Sequence, residues 1–226
     1  LPSAHRPVVD AATGLVVAHE LLPAADASGE VLPQVQAPAD LCVGLELCRV
    51  WFARAQSRGL AQAERALVMP VSSALMAASD VELAAQLARI QDCEMLSRKV
   101  VIRIDEGHRG SDSRRKRGLI ATFRAHGYRI ATSGFGVGYE SLTELIHAKP
   151  DYLRLSPELT RQIGRDHPRR YIVAALVSVG EDLGMQLVAD EVDTQAHADA
   201  LLTLGVNLQQ GRLYGAPAVL ETTGGN

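Results

Sequence analysis

The chain has 226 residues, 47% of them hydrophobic, and a formal net charge of −3. That is enough chain for one large core. A charge this close to balance gives no global field toward duplex nucleic acid or an anionic membrane surface. One basic run stands out, "RGSDSRRKRG" (Arg109 to Gly118) with five basic residues in ten, and it reads as a solvated helix start or a contact for an acidic partner. No apolar run is long enough to span a bilayer. Cys42, Cys48 and Cys93 lack metal-ligand spacing and read as reduced, buried thiols of a cytoplasmic protein. The chain opens almost directly into a strand without Met, so one domain over 1–226, the C-terminal part of a longer protein, is expected.

"RPVV" and "LVVAHELL" (Leu15 to Leu22) predict a hairpin turning on "DAATG". Asp40 can cap a helix whose Leu41, Leu45, Cys48 and Phe52 recur at helical spacing, with Trp51 among its core contacts. The chain then alternates. "ALVMPV" (66–71), "KVVIRI" (99–104), "YRIAT" (128–132), "DYLRL" (151–155) and "MQLVA" (185–189) read as strands. Helices fall between them, over "SSALM" to "VELAAQLARI", from Asp112 to His126, at "YESLTELIHA", from Arg169 to Leu183 and at "TQAHADALLTLG". "LQQGRLYG" (208–215) closes the series.

Short, near-continuously apolar strands alternating with helices imply a buried parallel sheet. About eight strands, with no glycine-rich dinucleotide fingerprint after the first, favour an α/β fold of the closed (β/α)8 barrel type. In such a barrel the pocket lies at the carboxyl ends of the strands, where Glu20, Pro70, Arg103, Ser133, Gly134, Arg154, Asp190 and Gln210 fall. The seven histidines are scattered singly, and Ser72 lacks a nucleophile elbow, so neither suggests chemistry.

Several of these stretches together resemble one family. "RPVVDAATGLVVAHELL" is similar to the opening of EAL domains, the phosphodiesterases of cyclic di-GMP, with Glu20-Leu21-Leu22 at the signature triplet. "GFGVGYESLTELIHAKPDYLRLS" resembles the family's Asp-Asp-Phe-Gly-Thr-Gly-Tyr-Ser-Ser-Leu stretch and following strand. "LVADEVDT" resembles Val-Ala-Glu-Gly-Val-Glu-Thr, and "QQGRLYGAP" the Gln-Gly-Tyr-Leu-Phe-Gly-Arg-Pro ending. The resemblance runs collinearly from Arg6 to Pro217 and implies a barrel with one antiparallel strand near the N-terminus. It also implies two divalent metals, held by carboxylates and an Asn, that activate water against a phosphodiester.

Carried over position by position, the resemblance keeps the first metal-binding Glu as Glu20 and the late Gln as Gln210. The expected Asn falls on Pro70, the next metal Glu on Arg103, and the aspartate pair on Ser133 and Gly134. The family Lys becomes Arg154, the Asp after it Ser156, and the Glu of the Ala-Glu-Gly run Asp190, while a loop-supporting Glu is kept as Glu106. At the substrate-holding positions the early Gln becomes Arg6 and an Arg becomes Pro23 or Ala24.

Two-metal hydrolysis needs cations ~3.5–4 Å apart amid anionic oxygen. A guanidinium about 4 Å from a divalent ion is repelled by on the order of 8 kcal/mol at an effective dielectric of about 20. The expectation is therefore no phosphodiesterase activity and no cofactor. Two functions stay open: a regulatory module of bacterial signalling acting through protein contacts, and a metal-independent cyclic di-GMP receptor in which Arg6, Arg103 and Arg154 hold phosphate. Against the second, Arg103 and Arg154 could instead pair with Glu20 and Asp190 and neutralise the pocket. Residual hydrolysis at a rebuilt metal site is a third, weaker reading. Dimerisation near the loop after Ser133 and Gly134 is a further expectation from the resemblance.

Overall fold

The computed structural model describes residues 4–22, 41–57, 65–71, 79, 81–82, 85–86, 94–105, 113–136, 142–165 and 167–219. Strands β1 (Ala4–Asp10) and β2 (Leu15–Leu22) form the predicted hairpin. Its turn is held by Asp10, whose Oδ1 accepts the Ala12 N–H at 2.9 Å and whose carbonyl accepts the Gly14 N–H at 2.8 Å. Gly14 takes φ +72°, a left-handed conformation open to glycine at little cost.

Six strands follow: β3 (Ala66–Val71), β4 (Val100–Asp105), β5 (Arg129–Phe135), β6 (Tyr152–Leu155), β7 (Gln186–Ala189) and β8 (Leu208–Gln209). Each pairs in parallel with the next from β2 to β8. β1 closes the barrel antiparallel to both β2 and β8, and the short β9 (Ala218–Val219) adds to its outer edge. This is the expected closed barrel with its antiparallel strand at the N-terminus.

The helices over described residues are α1 (Leu41–Ser57), α2 (Glu94–Lys99), α3 (Ser113–Ala125), α4 (Leu142–Ala148), α5 (Pro157–Thr160), α6 (His167–Leu183) and α7 (Gln195–Thr203). α2 and α5 were not foreseen, and Lys99 ends α2 instead of opening β4. α5 starts where Pro157 presets φ at its first turn and Ser156 Oγ accepts the Leu159 N–H at 3.3 Å. The predicted helix over "SSALM" to "VELAAQLARI", the cap Asp40, Glu106, Pro23, Ala24, Ser72 and Cys93 lie wholly or largely outside the described residues.

Alternation along the strands divides the core. Outward residues such as Leu67, Ile102 and Ile130 meet Leu45, Trp51 and Phe123 of the helices on one side. Leu153, Leu155 and Leu187 meet Val173, Leu176 and Leu201 on the other. Inward residues form a separate cluster of Val8, Ala18, Val68, Val101, Ala131 and Val188 along the barrel axis.

Two readings change. The basic run of α3 is not uniformly solvated, since Lys116 is only 6% exposed while Arg114 lies in solvent. β5 runs three residues beyond Thr132, through Ser133 and Gly134 to Phe135, with a bulge between Thr132 and Phe135. Gly134 at φ +86° accommodates that irregularity. Cys48 is a buried, reduced thiol. No helix among the described residues is long and apolar enough to cross a membrane.

On the outside of the hairpin, His5 and His19 meet under α1. Their Nδ1 atoms are 3.0 Å apart, so one imidazole donates and the other accepts, which requires the accepting ring to be neutral. Trp51 packs against both, edge-to-face on His5 and tilted on His19, at centroid distances of 5.6 and 5.5 Å. Burial, then the neighbouring His5 and Arg65 charges, lowers the His19 pKa to about 4 from 6.5. Burial lowers that of His5 as well.

The unfolded chain therefore binds these protons first as pH falls through 6.5. Stability should drop from there until native His19 itself protonates near pH 4. The full His19 shift corresponds to about 3 kcal/mol, and residual solvent screening reduces it to about 2. Urea midpoints at about pH 7 and about pH 5 should show a smaller acid loss in His19→Asn than in the parent. Equal losses in the two proteins would exclude this role for the pair.

Candidate ligand pocket at the barrel mouth

Glu20 lies in the inward row of β2, and Arg6 faces it directly across the β1–β2 pair, so both side chains lie on the same face. Pro70 and Arg103 are register partners on β3 and β4, and Arg103 pairs in turn with Ala131, two residues before Ser133. Arg154 leaves β6 inward beside Val188, with Asp190 two residues on. Gln210 follows β8, its backbone N–H donating to the Ala189 carbonyl at 2.9 Å. The strand-end positions singled out from the sequence thus converge on one mouth, while Gly134 sits in the β5 bulge.

Arg154 is the hub. Its side chain is 3% exposed, and its Nε and Nη2 form a fork on Asp190, at 3.0 Å to Oδ2 and 2.5 Å to Oδ1. Nη2 also lies 3.1 Å from Glu20 Oε2 and 2.6 Å from Gln210 Oε1. The other Glu20 oxygen, Oε1, accepts from Arg103 Nη1. Glu20 is 3% exposed, so both of its oxygens are committed to guanidinium groups inside the barrel. This is the mutually neutralising arrangement that stood as the alternative to phosphate binding by Arg6, Arg103 and Arg154.

Among the described residues Arg6 makes no ion pair, and three guanidiniums face two carboxylates. Arg6 Nε is buried without a hydrogen-bond partner, and so is Gln210 Nε2. A buried donor left without an acceptor costs ~1–3 kcal/mol, so these two atoms are poised for an acceptor from outside.

Ser156, at a position where the resemblance implies a carboxylate, serves as the N-cap of α5 and is 2% exposed. Glu191 stands where the family stretch has Gly and holds φ +55°. A non-glycine residue there costs about 1–2 kcal/mol, and its exposed 2.5 Å ion pair with Arg161 offsets only part of that. Among the described residues, no three His, Cys, Asp or Glu side chains gather in a group able to hold a metal ion.

Known proteins place this architecture. The chain is 34% identical over 93 residues to the probable cyclic di-GMP phosphodiesterase PdeD of Escherichia coli, an alignment covering 41% of this chain and 18% of that protein. It is 32% identical over 103 residues to the bifunctional diguanylate cyclase/cyclic di-GMP phosphodiesterase MucR of Pseudomonas aeruginosa, covering 46% and 15%. The aligned part is thus less than a fifth of either relative's length. Among solved structures, Klebsiella pneumoniae BlrP1 in a manganese/cyclic di-GMP complex superposes with TM-score 0.78 at 24% identity, over 97% of this chain and 56% of that one. The EAL domain of Mycobacterium smegmatis DcpA gives TM-score 0.75 at 26% identity, over 97% and 92%. A family model described as EAL domain matches residues 3–217, so the chain belongs to the EAL domain family.

Proposed function

We propose that this EAL domain is a non-catalytic signalling module that works through protein contacts and does not hydrolyse cyclic di-GMP. The observation that carries the reading is the double capture of Glu20 by Arg103 and Arg154. A two-metal centre needs anionic oxygens turned to the cations. The carboxylates at the described mouth are Glu20 and Asp190, and guanidiniums engage both oxygens of each. Pro70 offers no side-chain donor, and Arg103 adds a fixed positive charge. These residues do not fit a pair of divalent metals. Outside the barrel, Ile146 on α4 and Tyr171 and Ile172 on α6 are 52%, 77% and 50% exposed and give a protein partner apolar surface to bury. Incubation with cyclic di-GMP and Mn²⁺ should give no more linear product than the same mixture in EDTA. Metal-dependent turnover would overturn the proposal.

A second reading rests on Arg6. With its Nε and Gln210 Nε2 unpartnered, and three guanidiniums to two carboxylates among the described residues, the mouth suits metal-independent capture of a cyclic di-GMP phosphate. The receptor reading then depends on Arg6, with Arg103 (side chain 22% exposed) as its accessible neighbour, because Arg154 is committed below. Calorimetric titration in EDTA should show saturable heat that Arg6→Gln removes. Absence of heat at high micromolar ligand would end this reading and leave the protein-contact module.

A further inference from the structure

The barrel has a second opening. At the end opposite the mouth, where the parallel strands begin, a cavity of about 430 Å³ enters the barrel axis. This lies inside the ~300–1,000 Å³ range of small-molecule sites. Barrels of this kind are usually filled by layers of bulky branched side chains. Here Ala18, Ala66 and Ala131 occupy three inward positions among valines, and the missing volume is left as space.

The wall and the rim differ in chemistry. Val8, Ala18, Val68, Val101, Ala131 and Val188 make the wall apolar. Half-buried Arg65 and Arg129 stand on the rim. Arg129 Nη1 donates to the Tyr152 hydroxyl at 2.8 Å, and its guanidinium carbon lies 5.7 Å from that ring's centre. Its partner is neutral, so the guanidinium is held in place without a charge opposite it in that contact. Neither Arg65 nor Arg129 has an ion-pair partner among the described residues. Among the described residues the rim carboxylate is Asp10, whose Oδ1 is committed to the Ala12 N–H of the hairpin turn. An apolar tunnel with a cationic collar selects an anion that carries an apolar tail.

We propose that this lower cavity is a binding site for a small amphipathic carboxylate, its headgroup on Arg65 and Arg129 and its tail along the barrel axis. Arg154 lines the cavity from above while its guanidinium holds Glu20, Asp190 and Gln210 at the mouth. An occupant therefore sits against the back of the mouth network. The site is independent of whether the mouth binds cyclic di-GMP.

Octanoate is the probe. The wild-type chain should bind it saturably, one per chain, by calorimetry, and more tightly than neutral 1-octanol. Ala131→Leu adds three carbons inside the cavity and should weaken octanoate at least tenfold. The double variant Arg65→Gln/Arg129→Gln leaves the wall intact and should do the same while sparing octanol, which keeps the test open if the filled variant fails to fold. No saturable binding by the wild type would overturn the site. So would equal affinity for octanol, or octanoate binding unchanged in the double variant.

Discussion

Glu20→Ala is expected to destabilise this domain by about 3–5 kcal/mol, a fall in Tm of about 10 °C or more for a chain this size. The sign separates two histories of the same residue. A carboxylate kept to bind divalent cations stands among other acids, and deleting it from the metal-free protein relieves repulsion, so stability is unchanged or rises. Here Glu20 is 3% exposed between two guanidiniums, and its removal leaves Arg103 without its Oε1 acceptor. Arg154 keeps Asp190 and Gln210 but loses a partner in the interior. Among the described residues, Arg6, Arg103 and Arg154 would then face a single carboxylate at the mouth. Thermal melts of parent and Glu20→Ala in EDTA decide the matter; an equal or higher Tm in the variant would contradict the ion-pair reading of the mouth.

The positions in this network could be read from the sequence because strand parity is strict. Once "LVVAHELL", "VVIRI" and "DYLRL" are taken as barrel strands, Glu20, Arg103 and Arg154 fall at inward places near their carboxyl ends. What those side chains do to one another could not be read. Arg103 is 83 residues from Glu20 and Arg154 is 134, and whether a guanidinium turns to a carboxylate or to the open mouth depends on burial that no local pattern encodes. The β5 bulge was hidden for a related reason, since "TSGF" has the composition of a turn and becomes strand only when β6 pairs with it at Phe135. The lower cavity was less visible still. Its volume is the sum of small residues on separate strands, and its collar joins Arg65, just before β3, to Arg129, which opens β5 two strands away.

Gly211→Ala should be the most damaging single methyl in the C-terminal half, costing about 3 kcal/mol or more. Gly211 is extended, at φ 164°, so the reason is space and not backbone preference. A Cβ there would overlap the N, C and O atoms of Val192, a residue with no exposure at all. Backbone cannot step aside as a side chain can. Val192 is fixed by its N–H to the Gln210 carbonyl at 2.9 Å and by the Leu213 N–H to its own carbonyl at 3.2 Å. Separating the two segments moves Asp190 on one side and Gln210 on the other, the two partners that hold Arg154 besides Glu20. The packing defect should thus reach the mouth. Gly118→Ala is the matched control: it lies within α3, a Cβ there meets nothing within 4 Å, and the helix should gain about 0.5–1 kcal/mol. Urea unfolding of the two variants beside the parent should give shifts of opposite sign. A Gly211→Ala midpoint within error of the parent would mean that the 190–193 segment yields freely, and that the mouth network is far softer than its burial implies.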